Sequence, residues 1–179
     1  VHKSDDGGNS WTQTGNGFEF PSTPGGLETG PSGSVYVLTW WDGVFKSDDG
    51  GNSWIHISTG LPTDRGILDL CYNSDGNIFV VVGDQKSTLG VYKSNDGGMS
   101  WIEINNGLTT WLINQINQVK VDSLGNLFIN AGYRGFFRSE DNGDTWKDIN
   151  TIDNLHPHHV ISMSIDSFGN VFAVSTMHG

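Results

Sequence analysis

Short runs rich in Val, Ile, Phe and Tyr recur along the chain, each closed by a turn of Gly, Asn, Asp or Ser. Ile67 to Tyr72, Ile116 to Val121 and Val160 to Ile165 have the length and composition of strands. Each leads into a Gly-Asn pair flanked by apolar residues: Gly76-Asn77, Gly125-Asn126 and Gly169-Asn170. That pairing predicts a hairpin, because the glycine tolerates φ > 0 in a tight turn. Ser32 to Val37 is a weaker copy. A further strand follows at Gly43-Val44-Phe45-Lys46, Gly90-Val91-Tyr92-Lys93 and Gly135-Phe136-Phe137-Arg138, and the last begins at a tryptophan, as in Trp101-Ile102-Glu103-Ile104. No stretch sustains a helical period; Asn114 to Val119 is ambiguous and falls in register with a strand.

Between the third and fourth strands stands one octad. Ser47-Asp48-Asp49-Gly50-Gly51-Asn52-Ser53-Trp54 repeats Ser4 to Trp11 letter for letter, and Ser94 to Trp101 and Ser139 to Trp146 keep Ser-x-Asp-x-Gly-x-Ser/Thr-Trp. The shared aspartates Asp6, Asp49, Asp96 and Asp141 are 43, 47 and 45 residues apart. In each octad the aspartate can accept backbone N–H bonds across a turn, and the tryptophan (Trp11, Trp54, Trp101, Trp146) carries a large apolar body to bury between units. The run lacks the alternating oxygen ligands of a calcium loop, so the octads are expected to be structural.

Four short antiparallel strands in about 45 residues, repeated, predict an all-β chain: a β-propeller of four repeats, forming one domain over residues 1–179. Counted around a join of the two ends, Asp141 to Asp6 is 44 residues, so the chain holds a whole number of repeats. Three arrangements fit: a ring latched by pairing N- and C-terminal strands, a segment of a larger propeller, or a homodimer completing a larger ring. The first residue is Val1 rather than methionine, as expected of a processed or excised piece.

The octads resemble the Asp-box, or bacterial neuraminidase repeat, and the pattern covers nearly the whole chain. The resemblance implies the propeller superfamily that includes sialidases, xyloglucan-cleaving tandem propellers, sortilin-type receptors and photosystem assembly factors. It also implies a secreted or cell-surface, bacterial protein whose boxes lie away from any active site. Sialidases add an arginine triad; here the only arginines are Arg65, Arg134 and Arg138, and Arg138 takes the strand position of Lys46 and Lys93. A typical sialidase is therefore not expected.

Composition narrows the partners. A net charge of −11 argues against nucleic acid and anionic membranes, and no apolar run is long enough to span a bilayer. Cys71 is the only cysteine, which excludes an internal disulfide. No cofactor or metal is expected, since His156, His158, His159 and His178 lack a recognisable pattern of supporting carboxylates.

Antiparallel blades put octads and Gly-Asn hairpins at one end and the variable connections at the other, where function on a rigid scaffold usually sits. Those connections carry Trp40, Trp41, Asp42, Tyr133, Arg134 and Trp111, which suit stacking on sugar rings or anchoring a protein. The expected function is a non-catalytic module binding carbohydrate or protein through these residues. The alternative is a glycoside hydrolase, or part of one, drawing a carboxylate pair from Glu19, Asp42, Asp64 and Asp84. A purely structural repeat segment is the third reading.

Overall fold

The computed structural model describes residues 1–15, 23–62, 64–84, 86–150 and 159–176, so the expectations placed on Glu19, His156, His158 and His178 lie outside the described residues. The chain is a β-propeller arc. Three four-stranded antiparallel sheets follow one another: β3–β6 (Pro24–Thr29, Val35–Thr39, Val44–Ser47, Ile55–His56), β7–β10 (Gly66–Tyr72, Ile78–Gly83, Thr88–Ser94, Ile102–Glu103) and β11–β14 (Gln118–Val121, Leu127–Asn130, Phe136–Ser139, Lys147–Asp148). Two-stranded sheets flank them, β1–β2 (His2–Lys3, Thr12–Gln13) before and β15–β16 (His159–Ile165, Val171–Thr176) after. Among the described residues no pairing joins these flanking sheets, so the latch between first and last strands is not formed.

Register follows the repeat. Tyr36, Phe79 and Phe128 in the second strands stand opposite Lys46, Lys93 and Arg138 in the third, confirming Arg138 as a strand residue. Phe79 to Val82 of β8 are all fully buried, because the middle sheet is covered on both faces. One apolar core joins the first two complete blades through Leu38, Val44, Ile67 and Val80; another joins the second and third through Phe79, Val91, Ile116 and Ile129. Burying a phenylalanine such as Phe79 is worth about 1.5–3 kcal/mol.

The octads hold their turns through the same bonds each time. Ser47 Oγ donates to Asp49 Oδ1 at 2.8 Å, Ser53 N donates to Oδ1 at 2.8 Å and Ser53 Oγ to Oδ2 at 2.6 Å, while Gly51 N donates to Ser47 Oγ at 2.8 Å. These hydroxyl and amide donors lower Asp6, Asp49, Asp96 and Asp141 to about 2. The tryptophans behave less uniformly. Trp101 Nε1 donates to Ile57 O of the preceding blade at 2.6 Å and Trp146 Nε1 to Ile104 O at 2.7 Å, and both indoles are buried. Trp54 instead donates to Gly51 O in its own turn and is half-buried, and Trp11 is 63% exposed. Burial between units thus corrects the expectation for Trp11 and limits it for Trp54, because a complete blade must precede the indole to receive it.

Each complete blade also ties its third strand to the segment after its fourth. Asn105 Oδ1 accepts from Val91 N at 2.9 Å and Asn150 Oδ1 from Phe136 N at 2.8 Å. The amides lie so close to Gly90 and Gly135, both at positive φ, that a Cβ there would meet Asn105 Oδ1 at 2.2 Å and Asn150 Oδ1 at 2.0 Å, so a side chain would be strained and would displace the amide.

The ambiguous stretch Asn114 to Val119 enters a strand only at Gln118, later than the Ile116 expected. Just before it, residues 110–113 form one helical turn, α1 (Thr110–Ile113), capped where Leu112 N donates to Thr109 Oγ1. A single capped turn leaves no helical period to read.

Candidate functional site

Connections β4–β5, β8–β9 and β12–β13 emerge at the end of the arc away from the octads. The first is a tight turn, in which Thr39 Oγ1 donates to Gly43 O at 2.9 Å and accepts from Asp42 N at 3.0 Å. This turn projects consecutive indoles: Trp40 is half-buried beside Gly25, and Trp41 stands 55% exposed. In the next blade Asp84 accepts from Lys86 N at 2.7 Å and Ser87 N at 2.9 Å. Those two amide donors hold the Asp84 carboxyl below its ordinary range.

These two loops meet in a groove of about 340 Å³ lined by Trp40, Trp41, Asp84 and Lys86. Arg65 is bonded to Asp64 Oδ2 at 2.9 Å and approaches Asp84 with Nε at 3.7 Å. That Nε is buried with no hydrogen-bond partner among the described residues. A smaller hollow of about 150 Å³ lies on the other side of Trp41, lined by Asp42, His56 and Leu61; His56 Nε2 lies 2.6 Å from Asp42 O.

Trp111 and Arg134 are brought together elsewhere. The guanidinium of Arg134 stacks over the Trp111 ring at 3.4 Å, on a separate groove of about 350 Å³ that also includes Phe137 and Asp148. Tyr133 is exposed next to Arg134. The structure therefore joins Trp40, Trp41 and Asp84, puts Asp42 behind Trp41, ties Asp64 to Arg65, and sets Trp111 with Arg134. Among the described residues no cluster of three or more His, Cys, Asp or Glu could hold a metal, and no helix is long and apolar enough to cross a membrane.

Sequence reasoning passed over one charged cluster. Asp69, inside the apolar run Ile67 to Cys71, accepts from Lys120 Nζ at 2.8 and 2.9 Å and from Val119 N at 3.0 Å, bridging the first strands of two complete blades. Gln118, at the equivalent place in the next blade, accepts from Met163 N at 2.7 Å. Burial raises Asp69, against the pull of Lys120, and also raises nearby Glu28. A carboxylate in the middle of a buried strand was the available signal.

No family model matches the chain, and no curated protein matches it. Solved structures with the same fold do. It is similar to an ancestral GH74 enzyme at 20% identity and TM-score 0.72, covering 97% of this chain and 24% of that one. It is similar to YCF48 bound to D1 peptide at 17% identity and TM-score 0.67, covering 95% and 52%. A third match is an extracellular domain of a two-component system protein from B. thetaiotaomicron, at 13% identity and TM-score 0.65, covering 92% and 21%. The chain thus spans between a fifth and about half of these chains.

Proposed function

We propose that this chain is part of an extracellular Asp-box propeller that binds carbohydrate in the groove of Trp40, Trp41, Asp84 and Lys86. Trp41 carries the reading: an indole 55% exposed, held out by a hydrogen-bonded turn beside a carboxylate and an ammonium. Its ring offers an apolar face for the C–H side of a sugar, while Asp84 and Lys86 accept from and donate to hydroxyls. Asp84 is kept charged by its two amide donors, which suits hydrogen bonding to hydroxyls rather than proton donation. The similarity to a GH74 enzyme keeps a hydrolase as the second reading, with Asp42 and Asp84 on either side of Trp41 as its acids.

The test is incubation with a mixed glycan library, followed by mass spectrometry of bound and free fractions. Intact glycans retained by the protein and lost with Trp41→Ala support binding. Shortened products that vanish with Asp84→Asn move the site to hydrolysis. A library neither held nor cut overturns both and moves the groove to a protein ligand.

A further inference from the structure

The groove of Trp111 and Arg134 lies at the third complete blade and the link that leads into it, and shares no lining residue with the groove of Trp41. The repeat calls for neither residue. Arg134 stands just before Gly135, a glycine at positive φ; the same place holds Asp42 before Gly43 and Leu89 before Gly90. Trp111 stands four residues after Gly107, where the preceding link has Asp64 four residues after Gly60. The two links are in register, because Gly60 and Gly107 lie alike against the backbones of Trp101 and Trp146.

The charges in this groove are uncommitted. Arg65 is ion-paired with Asp64 and Arg138 with Glu140, whereas among the described residues the Arg134 side chain makes no ion pair and no hydrogen bond. Its guanidinium is held by stacking alone, 3.4 Å from the centre of the Trp111 ring. Stacking occupies the flat face of the guanidinium and leaves its in-plane N–H groups as a fork that matches the two oxygens of a carboxylate. Trp111 is still 57% exposed, so part of the indole stays open beside that fork. Asp148 lines the same groove without pairing to Arg134; its Oδ1 accepts from Asn150 N at 2.8 Å. A cation, an anion and an open aromatic surface therefore stand side by side in about 350 Å³.

We propose that this groove binds a uronic acid residue of a glycan. Its carboxylate meets the fork of Arg134, its C–H face lies on the open part of Trp111, and a ring hydroxyl donates to Asp148. A neutral sugar leaves the guanidinium without a partner, and a bare carboxylate leaves the indole and Asp148 unused. A uronate engages all three. The chain carries a net charge of −11, so an anion needs a specific cation to hold it, and that places the selectivity on Arg134.

The test compares methyl β-glucuronide with methyl β-glucoside, which differ in carrying a carboxylate or a hydroxymethyl group. Each is titrated into the protein while the Trp111 indole N–H, identified by its loss in Trp111→Phe, is followed by NMR. The glucuronide should give a saturable shift, and the glucoside should bind about tenfold more weakly. Arg134→Lys keeps the charge but not the planar fork, and should weaken the glucuronide about tenfold. The Trp101 and Trp146 indole resonances should stay in place in that variant, reporting an intact fold. Trp41→Ala should leave the titration unchanged, which separates a failure here from a failure of the groove proposed above. Equal binding of the two sugars, full affinity in Arg134→Lys, or no shift with the glucuronide overturns the proposal. So does acetate shifting Trp111 as strongly as the glucuronide, which would make this a site for any small anion. A peptide with a free C-terminal carboxylate that binds in preference would likewise overturn it, in favour of a protein ligand.

Discussion

The complete blades and the flanking half-blades carry the same octad yet differ in what it does. Inside the turn the two are alike: Ser4, Asp6, Gly8 and Ser10 repeat the bonds of Ser47, Asp49, Gly51 and Ser53 to within about 0.1 Å. Outside it they part. Trp101 and Trp146 reach into a preceding blade and disappear from solvent, while Trp11 has no complete blade before it among the described residues and is 63% exposed. An octad is thus a self-contained turn plus an anchor, and only the anchor depends on neighbours. The adhesive chemistry of the fold lies between blades, in the tryptophan–carbonyl bonds and in the Asp69–Lys120 clasp.

The largest break in this comparison is expected from Trp146→Ala. It removes a buried indole and its bond to Ile104 O, and should cost about 3–5 kcal/mol in urea unfolding. Lys120→Met comes next. It leaves the Asp69 carboxylate enclosed without its cation and should cost about 3 kcal/mol at pH 7. Its sign with pH is distinctive. Burial already raises Asp69, so folding disfavours its charged form relative to the unfolded chain. Losing Lys120 raises it further, and the deficit should shrink as the pH falls and the carboxyl protonates. Unfolding curves at pH 7 and pH 4.5 check this; an equal loss at both would place the effect in lost packing instead.

Acid titration tests the half that the octads share. Their aspartates lie at about 2 when folded, against 3.8 for the free side chain. Folded values below unfolded ones stabilise the chain above about pH 4, and that contribution is lost as the pH falls towards 2. Because the bonds are local, Asp6 should titrate with Asp49, Asp96 and Asp141 when each carboxyl is followed by NMR, although only Asp6 belongs to a half-blade. The smallest effect is expected from Trp11→Ala, within about 0.5 kcal/mol of the parent.

The repeat made the fold readable before any coordinates. Short apolar runs, Gly-Asn pairs and octads are local signals, since turn chemistry and strand alternation act over a few residues. Arg138 could be recognised as a strand residue for the same reason, and α1 could not, because one turn of helix has no period. The candidate site was legible only as a list. Trp40, Trp41, Asp42, Asp84, Tyr133, Arg134 and Trp111 could all be assigned to loops at one end, but which of them meet depends on the angle between blades.

The sequence by itself determined the unit: its strands, its turn, the aspartate that organises the turn and the end of the arc that carries variable loops. The tertiary structure alone decided that Trp41 shares a groove with Asp84 and Lys86, and that Arg134 stacks on Trp111 instead. It also decided that Asp69 clasps Lys120 across two blades, and that Trp11 stays exposed while Trp101 and Trp146 are buried. Each of these depends on contact between residues far apart in the chain, and a pattern that repeats every 45 or so positions fixes each blade without fixing how neighbouring blades are filled.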